Sequence, residues 1–453
     1  MTRTIVRRIF VLGAALLWFS IGSSPLHLSA AQQTVAADSD QLPADFVLTM
    51  TPGTLDSAGA AAGGGVLGRR SNGSLLGVDS IPNWSSYFYD PGLVPTSPTD
   101  GYPQYTWPYT MVGRSPFSGG DEAEHEGGTT WINAPIVPVT LDLRNADGTP
   151  RFVNGHPLIS SPSSFITPVL NSPIFTKTSF DSSNRPTQYT DAVQRAEFYS
   201  AADEGWHTML RPVVARGRTM TLRAGTYHFA LNPDGTCCRY VLIDIDAFAS
   251  ALFPPTPTDT STVMGAAENG HDIRTTDLST FLFPNAFLYF TTPSNCCVLG
   301  FHSYDQEPGG AANGWRERRY VMNYSSWVSP GLFGSAFTDI TALSHELSET
   351  FNDPFVNNTT PIWLSPNGNC QNNLETGDVI EGLPNSVFPI TLNGFTYHPQ
   401  NEALLPWFAG VSHSPAIHGA YSYPDITVLT TPATSLRPDC KTPAGLATAP
   451  NNQ

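Results

Sequence analysis

The run TALSHELSETFNDPF, residues 341–355, places His345, Glu346, Glu349 and Asp353 within fifteen positions, with Asp339 just before them. Elsewhere the chain is sparing with charge: 13% of its residues are charged, against the ~25% usual in soluble domains. At ~100° per residue, Ile340, Leu343, Leu347 and Phe351 fall on one stripe, which predicts a helix over about 338–352 with that stripe toward a core. Thr338 or Asp339 suits its N-cap, and Pro354 stops it by driving Asp353 out of the α region.

His345 and Glu349 stand one turn apart on another face, so both side chains can reach a single point. An imidazole and a carboxylate at that spacing are two of the three protein ligands of an open zinc site. The Glu directly after the histidine, Glu346, can serve as general base toward water. The peptidase signature H-E-x-x-H is here H-E-x-x-E, and a carboxylate in the second place suits zinc but also a harder ion such as calcium. A third ligand is expected downstream in NLETGDVIEG, from Asp378 or Glu375, with Glu381 in the same run 32 residues past Glu349. Asp353 and His302 are the alternates. The plainer possibility is a solvated His–Glu pair, worth a few tenths of a kcal/mol to the helix. His156, His207, His228, His271, His398, His413 and His418 read as structural.

Outward from this helix the chain divides into four parts. Residues 1–31 carry Arg3, Arg7 and Arg8, an apolar run from Ile9 to Ile21 and a small-residue site at Ser29-Ala30-Ala31, the pattern of a cleaved secretory signal. The run is shorter than the ~20 residues a spanning helix needs, so no membrane span is expected after cleavage. Residues 32–130 are rich in Gly, Pro and Ser without sustained periodicity and read as an extension or pro-region. Within them, Gly63, Gly65 and Gly68 match a nucleotide fingerprint only through a glycine run, and GGDEAEHEGG (119–128) reads as a solvated loop or, alternatively, a cation site. From 131 to 430, short apolar runs cut by turns predict a mixed α+β domain, strand-rich, loop-rich and disulfide-stabilised. RTMTLRAGTYHFALNPDG, YVLIDIDAF and FLYFTTPS read as strands, and YTDAVQRAEFYSAADEGWHTML (189–210) as a helix. Residues 431–453 are a Pro/Thr/Ala-rich tail.

Six cysteines in an exported chain predict disulfides. Cys237–Cys238 and Cys296–Cys297 are adjacent pairs, which are expected to bond across to one another or to Cys370 and Cys440 rather than within each pair. The formal charge of −16, becoming −19 once the three signal arginines are gone, and only two lysines, Lys177 and Lys441, exclude a nucleic-acid or anionic-membrane partner. No G-x-S-x-G elbow is present for serine hydrolysis.

In order and spacing, CCVLGFHSYD, ITALSHELSETFNDPFVN and LETGDVIEG resemble the secreted exordium, or phosphate-induced, proteins and their bacterial relatives. The resemblance covers about residues 285–410. It falls on His302, His345, Glu346, Glu349, Asp353, Glu375 and Asp378, and it implies an extracellular protein with a zincin-like helix. Where those relatives have a cysteine after the aspartate this chain has Ile380, so a disulfide there must be arranged differently. Three functions are expected to compete. One is a secreted or periplasmic zinc peptidase acting on extracellular protein or peptide. The second is a non-enzymatic extracellular or cell-surface binding protein holding structural calcium. The third is a metal-free acid peptidase.

Overall fold

The computed structural model describes residues 39–43, 45–48, 77–89, 106–117, 128–181 and 185–433. The signal, the glycine run, the GGDEAEHEGG loop, Cys440 and nearly all of the tail lie outside these. The compact unit begins at Asp40. Its first elements are β1 (Val78–Asp79), a hairpin of β2 (Asn83–Tyr89) and β3 (Thr106–Val112), and the long β4 (Thr129–Arg144). Parts of the 32–130 stretch are therefore built into the domain. Trp84, Tyr109 and Met111 of the hairpin are buried with Trp363 and Trp407, and Asp40 pairs with Arg151 at 2.7 Å. Trp84 of β2 and the alternate residues Tyr109 and Met111 of β3 supply the burial that the flanking Gly/Pro composition conceals.

After β4 come the two-residue strands β5 (Phe152–Val153), β6 (His156–Pro157) and β7 (Ile159–Ser160), then α1 (Ile166–Leu170) and α2 (Tyr189–Glu197). The last is a correction, since a helix to residue 210 was expected. Asp203 Oδ1 accepts the N–H groups of Gly205 and Trp206, each at 2.8 Å, which turns the chain. From His207 it becomes β8 (His207–Val214), paired in parallel with β4. Next are β9 (Arg218–Arg223), β10 (Tyr227–Ala230) and β11 (Tyr240–Asp244). The YVLID strand ends where Asp244 caps α3 (Ile245–Leu252), its side chain accepting from Ala247 N at 3.1 Å. Then follow α4 (Val263–Asn269), β12 (Ser279–Pro284), β13 (Ala286–Tyr289), β14 (Cys296–Val298), β15 (Gly300–Glu307), β16 (Glu317–Trp327) and α5 (Thr341–Asn352).

The main sheet is mixed and strand-rich. β4, β12 and β16 run parallel to one another, and β15 pairs antiparallel with β16. Both faces are covered, so the central strands read as continuous apolar runs while alternate residues serve different cores. Ile136, Leu282 and Val321 pack with Leu343 and Leu347 of α5 on one face. Their neighbours Val137, Phe281 and Met322 pack with Phe248 of α3 and Met264 of α4 on the other.

The cysteine expectation is corrected. Cys237 bonds to Cys238 and Cys296 to Cys297, across cis peptides that bring each pair of Cα atoms to 3.1 and 3.0 Å. Cys370 is disulfide-bonded as well.

Candidate metal centre

α5 begins later than its periodicity suggests, at Thr341, with Ile340 in the N-cap position and no side-chain cap. Neither Thr338 nor Asp339 caps it. Asp339 takes a left-handed conformation (φ 42°), and its carboxylate accepts from Ile340 N at 2.6 Å and His398 N at 2.9 Å while meeting His398 Nδ1 at 2.7 Å. That turn consumes the residue that a longer helix would have used. The end is as expected: α5 stops at Asn352 before Pro354.

Every residue of α5 is buried, so the acidic face is not a solvated one. His345 Nε2 lies 3.1 Å from Glu349 Oε2 and 3.6 Å from Asp378 Oδ1. His302, on β15, brings its Nδ1 to 3.5 Å from the same Glu349 oxygen and 3.7 Å from Glu346 Oε2, and its Nε2 to 3.8 Å from Glu375 Oε2. Two ligand triads result, His345–Glu349–Asp378 and His302–Glu346–Glu349, in each of which the donor atoms lie within 4.8 Å of one another. The two share Glu349. Asp378 thus joins His345, whereas Glu375 faces the far nitrogen of His302. Asp353 is spent otherwise: its carboxylate accepts the N–H groups of Asn357 and Asn358, each at 2.9 Å, and fixes the chain leaving α5.

Hydrogen bonds from behind aim these groups inward. Glu349 Oε1 accepts from Gly377 N at 2.9 Å, leaving Oε2 toward the histidines. Asp378 Oδ2 accepts from Asn369 at 3.1 Å and from Gln371. Gln400 Nε2 donates to Gly377 O at 2.7 Å, which turns its Oε1 toward His345 Nδ1 at 3.2 Å. An acceptor there requires a proton on Nδ1 and leaves the Nε2 lone pair for a ligand. Two glycines leave the necessary room. A Cβ at Gly377 would stand 2.5 Å from His345 Nδ1, and one at Gly300 would stand 2.5 Å from Glu346 Oε1.

The site suits a cation. Both nitrogens of His302, His345 Nε2, Glu346 Oε2, Glu349 Oε2 and both oxygens of Glu375 are buried and make no hydrogen bond. Isolated buried polar atoms cost of order 1–3 kcal/mol each, and such a convergence is what an ion would satisfy. Glu346, Glu349, Glu375, Asp378 and Glu381 are all buried around the two imidazoles. Burial would raise Glu349, but His345 and His302 beside it pull it down to about 2. Burial pushes Glu346 up to about 7 and Glu381 up to about 8. A narrow cleft lined by Leu299, Phe337 and Ala342 reaches His345, Glu346 and Glu381.

The chain matches no known protein family, no characterised protein and no solved structure. The helix motif made His345, Glu346 and Glu349 candidates. Gln400, Gly300 and Gly377 went unnoticed, because each acts through a contact between segments remote in sequence.

Proposed function

We propose that this chain is a secreted metal-dependent hydrolase, a peptidase, in which His345, Glu349 and Asp378 hold the ion. The position of Glu346 carries this reading. Its Oε2 has no hydrogen-bond partner, Gly300 leaves space for its carboxylate, and the cleft arrives at it beside His345. Zinc bound there would supply a Lewis acid that polarises a substrate carbonyl and makes water more acidic. Glu346 takes the proton from water in the cleft and returns it to the leaving amine. Leu299, Phe337 and Ala342 exclude bulk water from that exchange. The exordium-like stretches and the apolar, arginine-led N-terminus support an extracellular setting. Glu346→Gln is expected to abolish hydrolysis of denatured protein substrates while metal content stays the same. Turnover that survives in this variant would sink the proposal.

A second reading is favoured by the enclosure of the site, since none of His302, His345, Glu346, Glu349 and Asp378 is more than 3% exposed. In that reading the carboxylates hold structural calcium in a non-enzymatic binding protein. It predicts a calcium-dependent melting temperature and a Glu346→Gln variant that functions normally.

A further inference from the structure

β15 has two faces, and the metal centre uses one. His302 and Tyr304 point to the α5 side, where Tyr304 joins that core, whereas Phe301 packs on the other side with α3 and α4. By the strand period Asp305 and Glu307 lie on the Phe301 face. There they meet Glu268, from the last turn of α4, and one carboxylate oxygen from each of the three lies within 4.8 Å of the others. Arg318, directly opposite Glu307 in the ladder, pairs with it at 2.6 Å.

Glu268 is the residue that needs explaining. It is 5% exposed, and neither of its carboxylate oxygens has a hydrogen-bond partner. It cannot swing out easily, because its helix is anchored by Val263, Met264 and Ala267 in the core beneath. All the donors are oxygens, with no imidazole or thiolate among them, which selects a hard ion.

We propose that Glu268, Asp305 and Glu307 form a second cation site, for calcium, which ties α4 to β15 on the sheet face opposite the α5 centre. The site is separate from the proposed hydrolase function and stands if that function fails. With no ion bound, burial and the neighbouring carboxylates of Asp305 and Glu307 push Glu268 up to about 9 and keep it neutral. A protonated Glu268 with no ion is therefore the outcome that opposes the proposal.

The test uses the full chain in a Glu349→Gln background, which removes the carboxylate that both α5 triads share, titrated with calcium after chelation and dialysis. Expected are about one calcium per chain, a rise in melting temperature on adding calcium, and an affinity at least about tenfold weaker in Glu268→Gln. Asp305→Asn, at a half-exposed position, gives the same answer should the buried variant fold poorly. Calcium uptake and thermal shift that persist in both variants, or no uptake in the background chain, would overturn the site.

Discussion

Gln400 Oε1 stands 3.2 Å from His345 Nδ1 while the same amide donates to Gly377 O at 2.7 Å, so one side chain sets both the tautomer of the helix histidine and the position of the loop that carries Asp378. Gln400→Leu keeps the volume and removes both bonds. Metal affinity should fall about 10- to 100-fold, as for other losses of support behind a ligand, with the melting temperature of the metal-free chain changing much less. Competition titration against a chromogenic chelator reads the affinity directly.

Gly377→Ala should be more damaging than its size implies. The added methyl would meet Nδ1, Cε1 and Cγ of His345 at 2.5–2.7 Å, and the backbone N–H of the same residue holds Glu349. The ring must turn or the loop must lift, and either displaces one of the proposed ligands. Elemental analysis should find metal lost from this variant while far-ultraviolet circular dichroism stays native. Full occupancy would show that the ring is not where the ion sits.

Asn358 fastens the N-terminal hairpin to the end of α5. Its side chain accepts from Thr110 N at 2.9 Å and donates to Thr110 O at 2.7 Å and Asn352 O at 2.6 Å. Asn358→Ala leaves those buried groups unpaired and should cost about 2–4 kcal/mol in denaturant unfolding. A change under about 0.5 kcal/mol would mean that the hairpin contributes little to the fold.

How much of this was legible in the chain depended on distance along it. The i,i+4 pair of His345 and Glu349 follows from helical period alone, and Pro354 marks the helix end. Asp378 was foreseeable only as one of several carboxylates, because the choice between it and Glu375 depends on which nitrogen of which histidine each meets. The start of α5 was misplaced because Asp339 bonds to His398, 59 residues away. The end of α2 was overrun because β4, far upstream, recruits His207 onward as a strand. Period and punctuation are local signals, whereas these outcomes were set by partners that no window contains.

Glu197 makes stability depend on pH. It is buried, its Oε1 accepts from Leu405 N at 2.6 Å, and burial raises its pKa from 4.5 to about 8. Below 4.5 the carboxyl is protonated in both folded and unfolded chains, and its contribution is fully present. Between 4.5 and about 8 unfolding releases a proton, so that contribution is progressively lost as pH rises. Glu197→Gln fixes the neutral form and keeps the acceptor for Leu405. The melting temperature of the variant relative to wild type should therefore climb across that window and level off above it. A flat difference would place the burial penalty elsewhere.

The ladder between β15 and β16 sets His302 opposite Asn323 and Glu307 opposite Arg318 without interruption. In an ordinary half-buried strand, a slip of one position trades core for solvent. Here it would carry His302 to the α4 side and send Asp305 and Glu307 toward α5, emptying two charged nests in one movement. A strand written in charge on both sides has a single tolerable register, and inserting one residue between Phe301 and His302 would erase both nests without touching a residue of either helix.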